Sequence, residues 1–183
     1  MTRRKKRPGR SLLVAMLIAA VVSAAAAYAA VQLTRESAPK LTPGTPVIVQ
    51  MSDIAAITRQ VRHEVYGIPT PAGARLEATR GSDGEVWLRY LTRSAAAGDQ
   101  RADFVTVGSY PRTDALAAAQ QAAKGGDQRS AELPGGGLML WSLQRPTSVY
   151  VARPGSDLLV EVYSPDAEQA KALARSGAVA PLR

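Results

Sequence analysis

From Ser11 to Leu33 the chain reads SLLVAMLIAAVVSAAAAYAAVQL, without one charged residue. As a helix rising ~1.5 Å per residue this stretch covers roughly 34 Å, enough for a hydrocarbon core of ~30 Å. Its nine strong membrane formers supply roughly −3 to −5 kcal/mol of insertion free energy, and the alanines add little. The preceding decapeptide, MTRRKKRPGR, carries Arg3, Arg4, Lys5, Lys6, Arg7 and Arg10 and no acid. The positive-inside rule therefore leaves residues 1–10 in the cytoplasm as a basic stub and exports whatever follows residue 33.

A secretory signal peptide shares the basic start and apolar middle, and Ala27-Tyr28-Ala29 offers a cleavage site after Ala29. The apolar run is longer than a signal core of ~7–15 residues and continues through Val31 and Leu33, so an uncleaved single-pass anchor at 11–33 is the expectation. Both readings place the remainder outside the membrane. Small residues recur at Ala15, Ala19, Ser23 and Ala27, a stripe that lets two spans approach closely and predicts a homodimer contact. An alanine-rich chain also produces such spacing by composition alone. Ten residues inside are too few for a folded cytoplasmic output.

The formal charge of +8 does not indicate a nucleic-acid binder. Six of the 23 cationic side chains sit in the first ten residues, leaving 17 against 15 acids, or +2, for the rest. Anionic lipid headgroups are the natural partner of the stub. The absence of cysteine excludes disulfides, thiolate chemistry and an N-terminal lipid. One histidine and nine aromatics rule out a multi-histidine metal site and a broad stacking platform.

Residues 34–51 contain Pro39, Pro43, Gly44 and Pro46 and are predicted to be an extended tether reaching about 50 Å at ~3.1 Å per residue. Residues 52–183 are predicted to form one extracytoplasmic α+β domain with a mainly antiparallel sheet and two or three helices. A helix over 53–66 carries Ile54, Ile57, Val61 and Val65 on one stripe. Strands 75–80 and 85–92 flank the turn Gly81-Ser82-Asp83-Gly84; a third strand spans 103–109, and Tyr110-Pro111 turns the chain into a helix ending near Lys124. An edge strand at 128–133 precedes strands 138–143, 148–153 and 157–163, read as a meander. Ser164-Pro165-Asp166 starts a final helix, with the Ser164 hydroxyl as its cap and Pro165 at the first helical position, that stops at Gly177.

No catalytic, cofactor or metal residues are assigned. His63-Glu64 is the one sequence contact of imidazole and carboxylate, and it lacks a nucleophile elbow elsewhere. Gly135-Gly136-Gly137 lacks the Lys-Ser/Thr of a phosphate loop and leads into a strand. Asp83, Asp99 and Asp103 lack calcium-loop spacing and read as solvated turn carboxylates. Arg153 and Asp157 are placed to pair across a hairpin. Glu161 alternates onto a face with Leu159 and Tyr163; if that face is buried it needs a partner, with Arg89 or Arg153 available. Trp87 and Trp141, each on a strand, read as core.

The closing stretch VYVARPGSDLLVEVYSPDAEQAKALARSGAVAPL, the segment EVWLRYLTR and the basic start before an anchor resemble small single-pass membrane proteins of actinobacteria with no assigned function. The order of strands, helix, strands and terminal helix is similar to the PsbP-like α/β/α sandwich of some exported actinobacterial lipoproteins, with the lipid-bearing cysteine as a departure. Neither resemblance implies a catalytic residue. The expectation is therefore a non-enzymatic binding or scaffolding protein of the bacterial cell envelope, without cofactor, that contacts another envelope protein. The alternative is a ligand-sensing or carrier domain with an apolar pocket between helix 113–124 and the sheet. A cavity of about 300 Å³ or more with converging polar groups marks the second; a flat exposed apolar patch marks the first.

Overall fold

Period-two alternation along the strands decides the layers. Strand β4 (Val86–Leu91) turns Val86, Leu88 and Tyr90 to one face, all buried, and the half-buried Trp87 and Arg89 to the other. The computed structural model describes residues 38–183. The predicted span at 11–33, the cleavage site after Ala29 and the stripe Ala15, Ala19, Ser23 and Ala27 lie outside the described residues. Among the described residues no helix is long and apolar enough to cross a membrane.

The chain opens with β1 (Val47–Val49), a 3-10 turn (Met51–Asp53) and α1 (Ile54–Val61). β2 (Tyr66–Gly67), β3 (Arg75–Arg80), β4 and β5 (Thr106–Pro111) lead to α2 (Ala115–Ala122). Then come β6 (Gln128–Leu133), β7 (Gly137–Ser142), β8 (Ser148–Ala152), β9 (Leu158–Tyr163), α3 (Ala167–Arg175) and β10 (Ala180–Pro181). Eight strands form one sheet in the order β1-β3-β4-β5-β9-β8-β7-β6, every neighbouring pair antiparallel. β2 and β10 form a separate two-stranded ribbon. Among the described residues the fold is α+β with a mainly antiparallel sheet and three helices.

The main core lies on one face, where Ile54 and Ile57 of α1 and Ala170 and Ala174 of α3 join Leu88, Val107, Val149, Val160 and Val162. On the opposite face α2 sets Ala115 and Ala119 against Leu140 and Ala152. A third group, Leu91, Ala95 and Phe104, closes the loop after β4. Helices thus cover both faces, but α2 covers only part of its own.

Four expectations change. Residues 38–51 are not a free tether: Leu41 is buried and Val47–Val49 pairs with β3. The first helix ends at Val61 rather than near Gly67, because Arg62 adopts a left-handed backbone (φ 64°). Val65 is still buried, from the segment entering β2. Tyr110-Pro111 extends β5 instead of turning it. Arg112 N–H donates to Asp157 O, so by alternation the ring nitrogen of Pro111 faces the β4 side, where pairing already stops at Ser109–Val86. Finally, Asp166 and not Ser164 caps α3, its Oδ1 accepting from the N–H groups of Glu168 (2.8 Å) and Gln169 (3.3 Å).

Candidate functional site

β5 sits between β4 and β9, which brings together three residues far apart in sequence. Gly108 is opposite Trp87 on one side and Glu161 on the other. Having no side chain, it lets two aromatic rings close over it. A methyl at that position would lie 2.7 Å from Tyr110 Cε2 and 3.1 Å from Trp87 Cδ1. The rings meet edge to face with centroids 5.9 Å apart. Trp87 Nε1 donates to Tyr110 Oη at 2.8 Å, and Tyr110 Oη donates to Glu161 Oε2 at 2.5 Å. Tyr150 is opposite Glu161 on β8 and completes the group.

Glu161 is half-buried and shares its face with Leu159 and Tyr163, as the alternation predicts. Its partner is neither Arg89 nor Arg153 but the Tyr110 hydroxyl. Burial, followed by the Glu161 carboxylate, raises the Tyr110 hydroxyl well above the usual tyrosine range. The same two causes raise Tyr150. Both phenols keep their protons at neutral pH, and the Tyr110 proton is spent on Glu161 Oε2.

Beside this group, between α2 and the sheet, runs a groove of about 340 Å³. Ala118, Ala119 and Ala122 form its helix side and Leu140 and Leu159 its sheet side, with Arg112, Gln128 and Tyr150 as its polar lining. Alanine is what opens it: a helix reading ALAAAQQA offers methyl groups where larger residues would fill the space. A second cavity of about 290 Å³, lined by Asp83, Glu85, Tyr110 and Pro111, shares Arg112, Tyr150 and Leu159 with the first. The arrangement offers an apolar slot leading to hydroxyls, carboxylates and one guanidinium.

Other candidate residues fall elsewhere. Arg89 is held by the fully buried Glu77 (Nη1 to Oε1, 3.0 Å), with Nη2 on Asp99 O (2.7 Å) and Arg101 O (3.1 Å). Glu77 Oε2 also accepts from Gly98 N–H at 2.5 Å, so this pair fastens the loop between β4 and β5 to the sheet. Asp99 and Asp103 both pair with Arg101, at 2.8 and 3.7 Å. The Arg101 hydrogen bond lowers Asp99 to about 2. Asp83 is in the β3–β4 turn and lines the second cavity. The described residues bring no three His, Cys, Asp or Glu side chains together as a metal cage.

His63 lies past α1, its Nδ1 2.8 Å from Glu64 O and its Nε2 2.7 Å from Gly84 O. Backbone carbonyls thus occupy both ring nitrogens, which leaves neither free to serve a hydroxyl nucleophile. Gly135 and Gly136 take left-handed conformations in the tight β6–β7 turn. Arg153 and Asp157 do not pair; Asp157 Oδ1 instead accepts from Asp114 N–H at 3.2 Å. Trp87 belongs to the aromatic group rather than the core, while Trp141 packs half-buried against the core beneath Lys171.

Tyr110, Tyr150, Gly108 and Arg112 carry the site and were not singled out by sequence. Alternation in TVGSYP and SVYVA places their faces, but the neighbouring of β5 with β9 does not follow from local pattern. No family model, curated protein or solved structure matches the chain.

Proposed function

We propose that the chain is a membrane-anchored, extracytoplasmic protein of the bacterial cell envelope, whose domain is a non-enzymatic ligand-sensing or carrier module. The observation that carries this reading is the groove of about 340 Å³ between α2 and the sheet, an apolar slot with Arg112, Gln128 and Tyr150 in its wall. It has the size and mixed lining of a small-molecule site, an apolar body with few orienting polar groups. Arg112, Gln128 and Tyr150 hold the ligand's polar groups, and the alanines of α2 receive its apolar part. A scaffolding role has less support: among the described residues the exposed large hydrophobics are Met51 and Leu143, which make no broad patch.

The test is native mass spectrometry of the full chain, purified in mild detergent from the membranes that produce it. The parent is expected to carry a small-molecule adduct that Ala118→Trp, which fills the groove, removes. No adduct on the parent, or the same adduct on both, overturns the reading.

A further inference from the structure

On the other side of the sheet order, where β1 and the 3-10 turn meet the segment entering β3, lies a cavity of about 420 Å³. Arg75 and Arg93 line it together with Gln50, Thr70 and Gly73, and its described lining includes no carboxylate. Arg75 spends one N–H on Ala95 O (2.9 Å). Neither arginine has an ion-pair partner among the described residues. The Arg93 guanidinium borders Gly73, where an added methyl would still be 3.9 Å from Nη2.

We propose that this cavity is a binding site for a phosphate group carried on a small organic moiety. Two guanidinium forks supply paired N–H donors and two positive charges, the combination that suits a phosphate dianion or diester. The volume exceeds what bare phosphate needs, and Ile48 and Met51, the latter 38 % exposed, supply apolar wall for the attached group. A phospholipid headgroup and a soluble phosphate ester share this chemistry. The site has no lining residue in common with the α2 groove, so either can fail without the other.

Isothermal titration calorimetry of the full chain in nonionic detergent micelles tests the site, with inorganic phosphate, glycerol 3-phosphate and phosphatidylglycerol mixed micelles as ligands. Saturable binding of glycerol 3-phosphate is expected, weakened at least tenfold by Arg93→Gln. Phosphatidylglycerol competing for the same site identifies a lipid source, and binding confined to the soluble ester identifies a free one. Absence of saturable heat in the parent, or equal affinity in Arg93→Gln, overturns the proposal; the second result would assign the binding to the basic residues 3–10.

Discussion

Glu77 is the residue whose environment differs most from its sequence appearance. In RLEATR it alternates with Leu76 and Ala78 and reads as a solvent-facing strand glutamate, yet its side chain has no solvent exposure. The loop after β4 folds over it and supplies Gly98 N–H, while Arg89, opposite it on β4, supplies the charge. Removing one member of a buried pair leaves the other uncompensated, at about 3–5 kcal/mol. Arg89 would keep two carbonyl acceptors and some water, so Glu77→Ala is expected near the lower end, about 3 kcal/mol. Chemical denaturation of the full chain followed by tryptophan fluorescence measures it; a loss below about 1 kcal/mol would show that the loop is held by Phe104 and Leu91 instead.

At the scale of elements, β5 is decisive because its residues face both neighbours. Gly108 is there for space and not for backbone freedom, since its environment, not a positive φ, excludes a side chain. Gly108→Ala must push the Tyr110 ring aside, which breaks the chain from Trp87 through Tyr110 to Glu161. A destabilisation of about 1–3 kcal/mol is expected for such overpacking. The Trp87 indole N–H resonance should shift with it, because that proton loses its acceptor. An unchanged resonance would mean that the rings do not close over this glycine. Hairpins such as β3–β4 and the meander β7–β9 were legible from alternation and turn residues, since both depend on neighbours in sequence. The place of β5 beside β9, which builds the site, depends on contacts across about fifty residues.

For the whole molecule, tyrosines set the alkaline limit of stability. Burial raises Tyr90 to about 12, and burial also comes first among the causes that raise Tyr66, Tyr110 and Tyr150. Each folded-state value stands above the unfolded value of 10.0, so the folded chain holds these protons longer. Their contribution is complete below pH ~10 and is lost as pH rises from there toward about 12. Tyrosinate absorbance should therefore show four phenols titrating late, together with loss of structure, rather than one transition near pH 10. If all tyrosines titrate together near pH 10 with the fold intact, these side chains are more exposed than the structure has them.

The strand alternation and the turn glycines were set by residues close in sequence, and so the α+β character could be read directly. Chain-distant encounters were not encoded that way. Whether Glu161 meets an arginine or a tyrosine, whether Glu77 is buried, and whether an alanine-faced helix leaves a groove all depend on which strands become neighbours. Local preference acts through a few adjacent dihedrals, whereas strand order is chosen by the burial of the whole apolar face at once; that is why the elements were foreseeable and the site was not.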